Sequence, residues 1–230
     1  MAARNDPYTN KNSLEFGMRQ RRFTAVQALI AAAIAEHGFC HILDLGGTET
    51  YWLIGRDFLE KNRGRLHVTI VNTEEHAVRD PGMFTFVKGS ATDRGLFTGR
   101  VFDVVHSNSV IEHVGSWRDM QAFAGNVRRL GRRYYVQTPN YWFAYEPHFR
   151  FPGFQYLPAW MRVELIRHFA LGFFPRIPDR DEARKVISEH CLISTRQMAK
   201  LFPDARIRHE TFYGLNKSIL AVGNPMGVPA

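Results

Sequence analysis

Two carboxylate–imidazole pairs are the residues whose types and spacing suit chemistry in this chain. Glu112 and His113 are adjacent, and Glu146 stands two residues before His148. Such groups, placed within reach of a bound hydroxyl or protonated amine, can remove its proton. The structural alternative for Glu112 and His113 is to cap or orient a helix. His168, His190 and His209 lie on ordinary-looking elements and read as structural or surface residues. The other suggestive stretch is Ile42-Leu43-Asp44-Leu45-Gly46-Gly47-Thr48. Its apolar residues suit a strand covered on both faces, with Asp44 near the C-terminal end. Gly46 and Gly47 then permit positive φ and let backbone approach a ligand. In an open α/β sheet ligands bind at such strand ends. Cys40 and Cys191 show neither CxxC spacing nor a disulfide framework, and no metal is expected.

The elements that must position these residues follow in order. Residues 1–12 are polar and read as loosely held. Asn12-Ser13 can cap a helix whose apolar positions run to about residue 36, ended by His37-Gly38. The block Arg19-Gln20-Arg21-Arg22 on that helix reads as a solvated face. After the glycine turn, residues 51–62 read as one helix, with Leu53, Ile54, Phe58 and Leu59 facing inward. Strands are expected at 66–72, 84–93 (with its loop), 101–108 and 134–140, and a helix enters from 109–114 and reaches about Leu130. Helices over 159–171, 181–189 and 194–202 precede two antiparallel strands, 205–212 and 217–222, joined by a tight turn at Gly214. This alternation argues for a parallel sheet flanked by helices. The whole chain reads as a single domain over residues 1–230, with an N-terminal helical segment (1–37) and an insertion (141–180). The start of that insertion, from Tyr141 to Trp160, is too rich in proline for a regular element and too aromatic for a solvated loop.

Composition permits a sizeable core, because 45% of the 230 residues are hydrophobic. The formal charge of +8 admits an anionic partner without specifying one. No apolar run is long enough to span a bilayer, and the N-terminus lacks a signal-peptide core, so a reducing, cytoplasmic setting is expected.

Asp44-Leu45-Gly46-Gly47, the Gly89-Ser90-Ala91 loop, Phe102-Asp103-Val104-Val105 and Glu112-His113-Val114 together resemble a class I S-adenosylmethionine-dependent methyltransferase. The resemblance covers roughly residues 42–222. More narrowly, the Gly-Gly-Thr loop, the Ser-Asn-Ser-Val-Ile-Glu-His segment and the Thr-Pro-Asn strand end resemble bacterial small-molecule methyltransferases. The family's fold would be a Rossmann-like, seven-stranded, mostly parallel sheet. It would carry an antiparallel C-terminal strand pair, helices on both faces and an aromatic lid inserted after the fifth strand. The implied cofactor is S-adenosyl-L-methionine. A dinucleotide would want a third glycine for its pyrophosphate, which this loop lacks. On the resemblance, Asp44, Gly46 and Gly47 meet the methionyl part, Asn72 or Glu74 the ribose, and Ser90, Ala91 or Asp93 the adenine edge. Ser107 and Asn108 end a strand beside the methionine moiety, and Tyr51 or Trp52 could face the sulfonium. Three positions depart from the family: Thr48 replaces a common glycine, Asn72 the usual acid, and Ser90 a frequent aspartate.

The implied reaction is methyl transfer to an O or N atom of a small molecule, such as a saccharide or specialised metabolite. His113, His148 and Glu146 are its candidate catalytic residues, and Tyr141, Trp142 and Tyr145 its candidate substrate contacts. The aromatic stretch could instead form a subdomain core or a homodimer contact. Two other functions compete. The cluster Arg128, Arg129, Arg132 and Arg133 raises RNA modification, but no RNA-binding module accompanies it and nucleic acid is not the expected partner. The three departures raise a catalytically degenerate partner subunit.

Overall fold

A computed structural model describes residue 8 and residues 10–224; the expectation of a loose polar start at 1–7 and 9 lies outside the described residues. Helix α1 (Leu14–His37) begins where the Ser13 hydroxyl accepts the Phe16 N–H at 3.0 Å and ends at Gly38, whose left-handed backbone (φ 76°) closes the last turn. Its apolar face buries Phe23, Val26, Ile30 and Ala33 against the sheet.

Nine strands lie among the described residues: β1 (Cys40–Leu45), β2 (Leu66–Asn72), β3 (Phe84–Lys88), β4 (Phe102–Asn108), β5 (Gly131–Pro139), β6 (Tyr145–Glu146), β7 (Phe151–Pro152), β8 (Ala205–Phe212) and β9 (Leu215–Gly223). Seven form one sheet in the order β3-β2-β1-β4-β5-β9-β8, the first five parallel and β9 antiparallel to both neighbours. The order reverses between β1 and β4, and the C-terminal ends of these strands border the crevice such reversals create. β8 and β9 are joined by a turn with positive φ at both Tyr213 (47°) and Gly214 (79°), which matches the twist of the paired strands.

Alternate residues of the strands feed two cores. On one face Ile42, Val68, Val104 and Tyr135 pack with α1 and with Trp52. On the other, Leu43, Leu45, Val105 and Tyr134 pack with α4 (Trp117–Leu130) and α7 (Thr195–Leu201). A third core, built from Phe149, Phe154, Val163, Ile166, Ile177, Ala183 and Ile187, lies within the segment after β5 and unites it with α5 (Ala159–His168) and α6 (Arg180–Ser188).

Two expected helices are broken. Residues 51–62 divide into α2 (Glu49–Trp52), a 3-10 turn (Leu53–Gly55) and α3 (Arg56–Lys61). At the break a Cβ on Gly55 would stand 1.9 Å from the Phe23 ring, so α1 sits against bare backbone there. The helix expected from 109–114 onward starts only at Trp117. Ser109 (φ 55°) and Gly115 (φ 108°) leave helical space, Ile111–His113 is a separate 3-10 turn, and Ser116 with Asp119 forms a capping box. β5 in turn begins earlier than expected, at Gly131, directly after α4.

Gly55→Ala should destabilise the fold by about 1–3 kcal/mol through overpacking against Phe23. A urea unfolding midpoint equal to that of the unaltered protein would show that α1 can yield at this contact.

Candidate functional site

The glycine turn at the end of β1 is held from beneath by Asp44. This carboxylate is fully buried, with Oδ2 accepting from the Trp52 indole N–H at 2.8 Å and Oδ1 from His106 Nδ1 at 2.7 Å. His106 is itself stacked on Tyr135, with ring centroids 5.7 Å apart. A Cβ on Gly47 would fall 1.8 Å from Asp44 Oδ2, and one on Gly46 would meet the Val110 methyls at 2.5 Å. Gly46 also has φ 76°. The two glycines are therefore required by contacts within the protein. Tyr51 and Trp52, considered above as faces for a cation, are buried in the core against Phe23 and His106.

Asn72, at the end of β2, spends its side chain on the same turn. Its Nδ2 donates to the carbonyls of Gly46 (3.2 Å) and Gly47 (3.1 Å), and its Oδ1 accepts the Glu74 N–H at 3.1 Å. An acid at this position has no proton to give either carbonyl, which is a physical reason for the amide. Glu74 is exposed at the rim. Ser90 exchanges a hydrogen bond with Thr92 at 2.8 Å, while Asn126 of α4 donates to the carbonyls of Ala91 and Asp93 and fixes this loop. The Asp93 carboxylate is turned to its own loop, accepting from Gly95. At the end of β4, the buried Ser107 hydroxyl donates to Leu45 O, stitching β4 to β1. Asn108 Oδ1 is buried and receives no hydrogen bond among the described residues.

The two carboxylate–imidazole pairs converge above the C-terminal ends of β4 and β5. Glu112 is fully buried in the 3-10 turn, and its Oε2 accepts the hydroxyl of Thr138 of β5 at 2.9 Å. Burial pushes its carboxyl up to about 7, against the opposing pull of its hydrogen bonds and of His148. His148 Nδ1 lies 2.7 Å from Glu146 Oε1, and Glu146 Oε2 accepts the Phe149 N–H. Burial alone would lower His148, but the Glu146 hydrogen bond and charge outweigh it and the net direction is upward. His113 faces this pair, with its ring centroid 4.8 Å from that of His148. Loss of hydration, reinforced by the neighbouring imidazoles, lowers it to about 4. The sequence reading missed His190. Its ring packs edge-on against both His113 (4.7 Å) and His148 (5.1 Å), and burial lowers its pKa too. It follows α6 by tertiary packing alone, with no local signal in the chain. Thr138 was equally unmarked as a partner for Glu112.

The aromatic stretch splits in two. Phe149 and Phe154 are buried in the third core, whereas Trp142, Tyr145, Tyr156 and Trp160 remain exposed. Tyr141, Trp142 and Tyr156 form one ring cluster, with centroids 5.0–6.0 Å apart. Buried Gln155 anchors its base, donating to the carbonyls of Tyr141 and Phe143. The arginines considered for RNA are engaged within the chain: Arg128 with Asp204, Arg129 with Leu96 O, Arg132 with Asp103 and Arg133 with Glu36. Arg22 pairs with Glu210 at 2.7 Å. Among the described residues no helix is long and apolar enough to cross a membrane.

By sequence, no family model and no curated protein matches the chain. Solved structures do resemble it. The N-terminal domain of EvdMO1 with SAH bound aligns over 90% of this chain and 80% of that one, at 13% identity and a TM-score of 0.52. The N-methyltransferase NodS from Bradyrhizobium japonicum WM9 aligns over 90% and 95%, at 10% identity and a TM-score of 0.50. Magnesium protoporphyrin IX methyltransferase from Synechocystis PCC 6803 with bound SAM aligns over 95% and 88%, at 11% identity and a TM-score of 0.50. The chain spans only 57% of the length of another match, an O-methyltransferase family protein from Burkholderia thailandensis. The fold is thus the Rossmann-like methyltransferase fold, as the sequence resemblance implied.

Asn72→Asp should lower unfolding stability by about 1–3 kcal/mol, because two loop carbonyls lose their donor and face a carboxylate instead. Chemical denaturation measures this, and unchanged stability would show that the turn does not depend on the amide.

Proposed function

We propose that the protein is an S-adenosyl-L-methionine-dependent methyltransferase acting on an O or N atom of a small molecule, of saccharide or specialised-metabolite type. The observation that carries this reading is the convergence of Glu112, His113 and His148 at the ends of β4 and β5, beside the glycine turn of a methyltransferase fold. The residues of the crevice fit the cofactor. Gly46 and Gly47 border its methionyl part, and the buried, unpartnered Asn108 Oδ1 is an acceptor suited to its ammonium group. Glu74, tied to Asn72 through its backbone N–H while its side chain is exposed, is the acid for the ribose hydroxyls, and Ser90 with Ala91 borders the adenine. Asp44 and Ser107 act from below, by holding the turn and the two strands in place.

When bound, the cofactor supplies an electrophilic methyl group on a sulfonium. The protein's part is to align the acceptor's lone pair with that methyl, exclude water and remove a proton where the acceptor carries one. His148, oriented by Glu146, is the proton acceptor of this reading, with Glu112 and His113 lining the same space. Tyr141, Trp142 and Tyr145, at the mouth of the insertion, form the aromatic wall against the acceptor, and the segment from 141 to 180 is its lid. The internal pairing of Arg128, Arg129, Arg132 and Arg133 speaks against an RNA substrate.

Calorimetric titration with S-adenosylmethionine and S-adenosylhomocysteine should give saturable binding at one equivalent, and Asn108→Ala should weaken both by roughly tenfold or more through loss of a charge-assisted hydrogen bond. Absence of binding to either compound would overturn the reading in favour of a degenerate partner subunit.

A further inference from the structure

We infer that Glu112, His113 and His148 form a binding site for a first-row transition-metal dication of the zinc type. Each offers one ligand atom, and these atoms all lie within 4.8 Å of one another. The hydrogen bonds around them select the atoms that would bind. His113 Nδ1 lies 3.3 Å from the Glu189 carbonyl, which can only accept, so the ring proton sits on Nδ1 and Nε2 keeps its lone pair. His148 Nδ1 is held in the same way by the Glu146 carboxylate at 2.7 Å. A carboxylate or carbonyl behind a histidine is the arrangement that orients metal ligands and raises their basicity. Glu146 is itself buried and further fixed by the Phe149 N–H, so this support does not drift.

Glu112 supplies the independent observation. It is fully buried, and while Oε2 takes the Thr138 hydroxyl, Oε1 is buried and receives no hydrogen bond among the described residues. A buried carboxylate oxygen without a donor is costly, and a cation beside it removes that cost. The ligand atoms are slightly farther apart than in a closed site. Bonds of about 2.0–2.2 Å to nitrogen and oxygen put tetrahedral ligands roughly 3.4 Å apart, so side-chain rotations of about 1 Å close the set. Two imidazoles and one carboxylate favour zinc or a neighbouring transition ion over magnesium or calcium, which prefer all-oxygen sites. His190 packs edge-on against both histidines and donates from Nδ1 to Val186 O, forming a wall of the site. Three protein ligands would leave at least one coordination position open. This step rests on the methyl-transfer reading: an acceptor hydroxyl taking an open position would lose its proton more readily, and the metal would replace His148 as the activating group.

The test is calorimetric titration of the full chain with Zn²⁺ after chelator treatment, repeated with Co²⁺ to read coordination from its visible absorption. One equivalent should bind, with His113→Ala, His148→Ala and Glu112→Gln each weakening affinity by at least about tenfold and His190→Ala having a smaller effect. His113→Ala guards against misfolding, because His113 retains exposed surface. Failure to bind at one equivalent, or affinity in His113→Ala and His148→Ala unchanged from that of the unaltered protein, would overturn the inference. S-adenosylhomocysteine titration of the metal-free protein separates the two readings: zinc binding without it leaves the metal site standing and removes the methyl-transfer reading, and the reverse result removes only the metal.

Discussion

Asp44 is a carboxylate with no access to water, and the geometry of the ligand crevice depends on how its two oxygens are answered. The Trp52 indole and His106 Nδ1 take one each, drawing the end of α2 and the end of β4 onto the end of β1. An unpaired buried charge would cost several kcal/mol, so the three residues stand or fall together. Gly47 closes over this carboxylate, Gly46 over Val110, and Asn72 ties both glycine carbonyls to the end of β2. Polar bonds aimed inward thus leave the outer backbone of the turn facing the crevice. The end of β2 departs from an acid because the turn needs a donor there.

The acid–imidazole cluster is assembled from four separate parts of the chain. Glu112 and His113 come from the 3-10 turn after β4, Thr138 from β5, Glu146 and His148 from the insertion, and His190 from the segment beyond α6. The third core joins two of them, the insertion and the segment around α6: Phe149 and Ile187, each within a few residues of a cluster histidine, belong to it. A rigid insertion of this kind holds side chains more precisely than a loop would. Its other surface leaves Trp142, Tyr145, Tyr156 and Trp160 exposed, so the segment has the subdomain core that was one of the alternatives offered by the sequence, together with an exposed aromatic surface.

Part of the positive charge prominent in the composition is engaged in ion pairs within the fold. Arg22, Arg128, Arg132 and Arg133 each pair with an acid that is distant in sequence, and they tie helices and strands to one another. Net charge therefore describes the surface average and leaves open whether any cationic patch is available to a partner.

By itself the sequence determined the alternation of strands and helices, the glycine turn at the end of β1, the antiparallel pair at the C-terminus and the polarity of the sheet. These are short-range matters of apolar periodicity, capping and turn residues, read directly from Ser13, Gly38, Gly46 and Gly214. The tertiary structure decided what periodicity cannot encode. Gly55 must lack a side chain because Phe23, far away in the chain, packs on its backbone, and Ser109 and Gly115 interrupt an expected helix by positive φ. It also decided the partners of these polar groups: Asp44 and Asn72 turn inward to hold the loop, Asn108 Oδ1 and Glu112 Oε1 find no donor among the described residues, and His190 joins His113 and His148. Hydrogen-bond partners are chosen by proximity in space, and a linear chain carries no local record of that proximity.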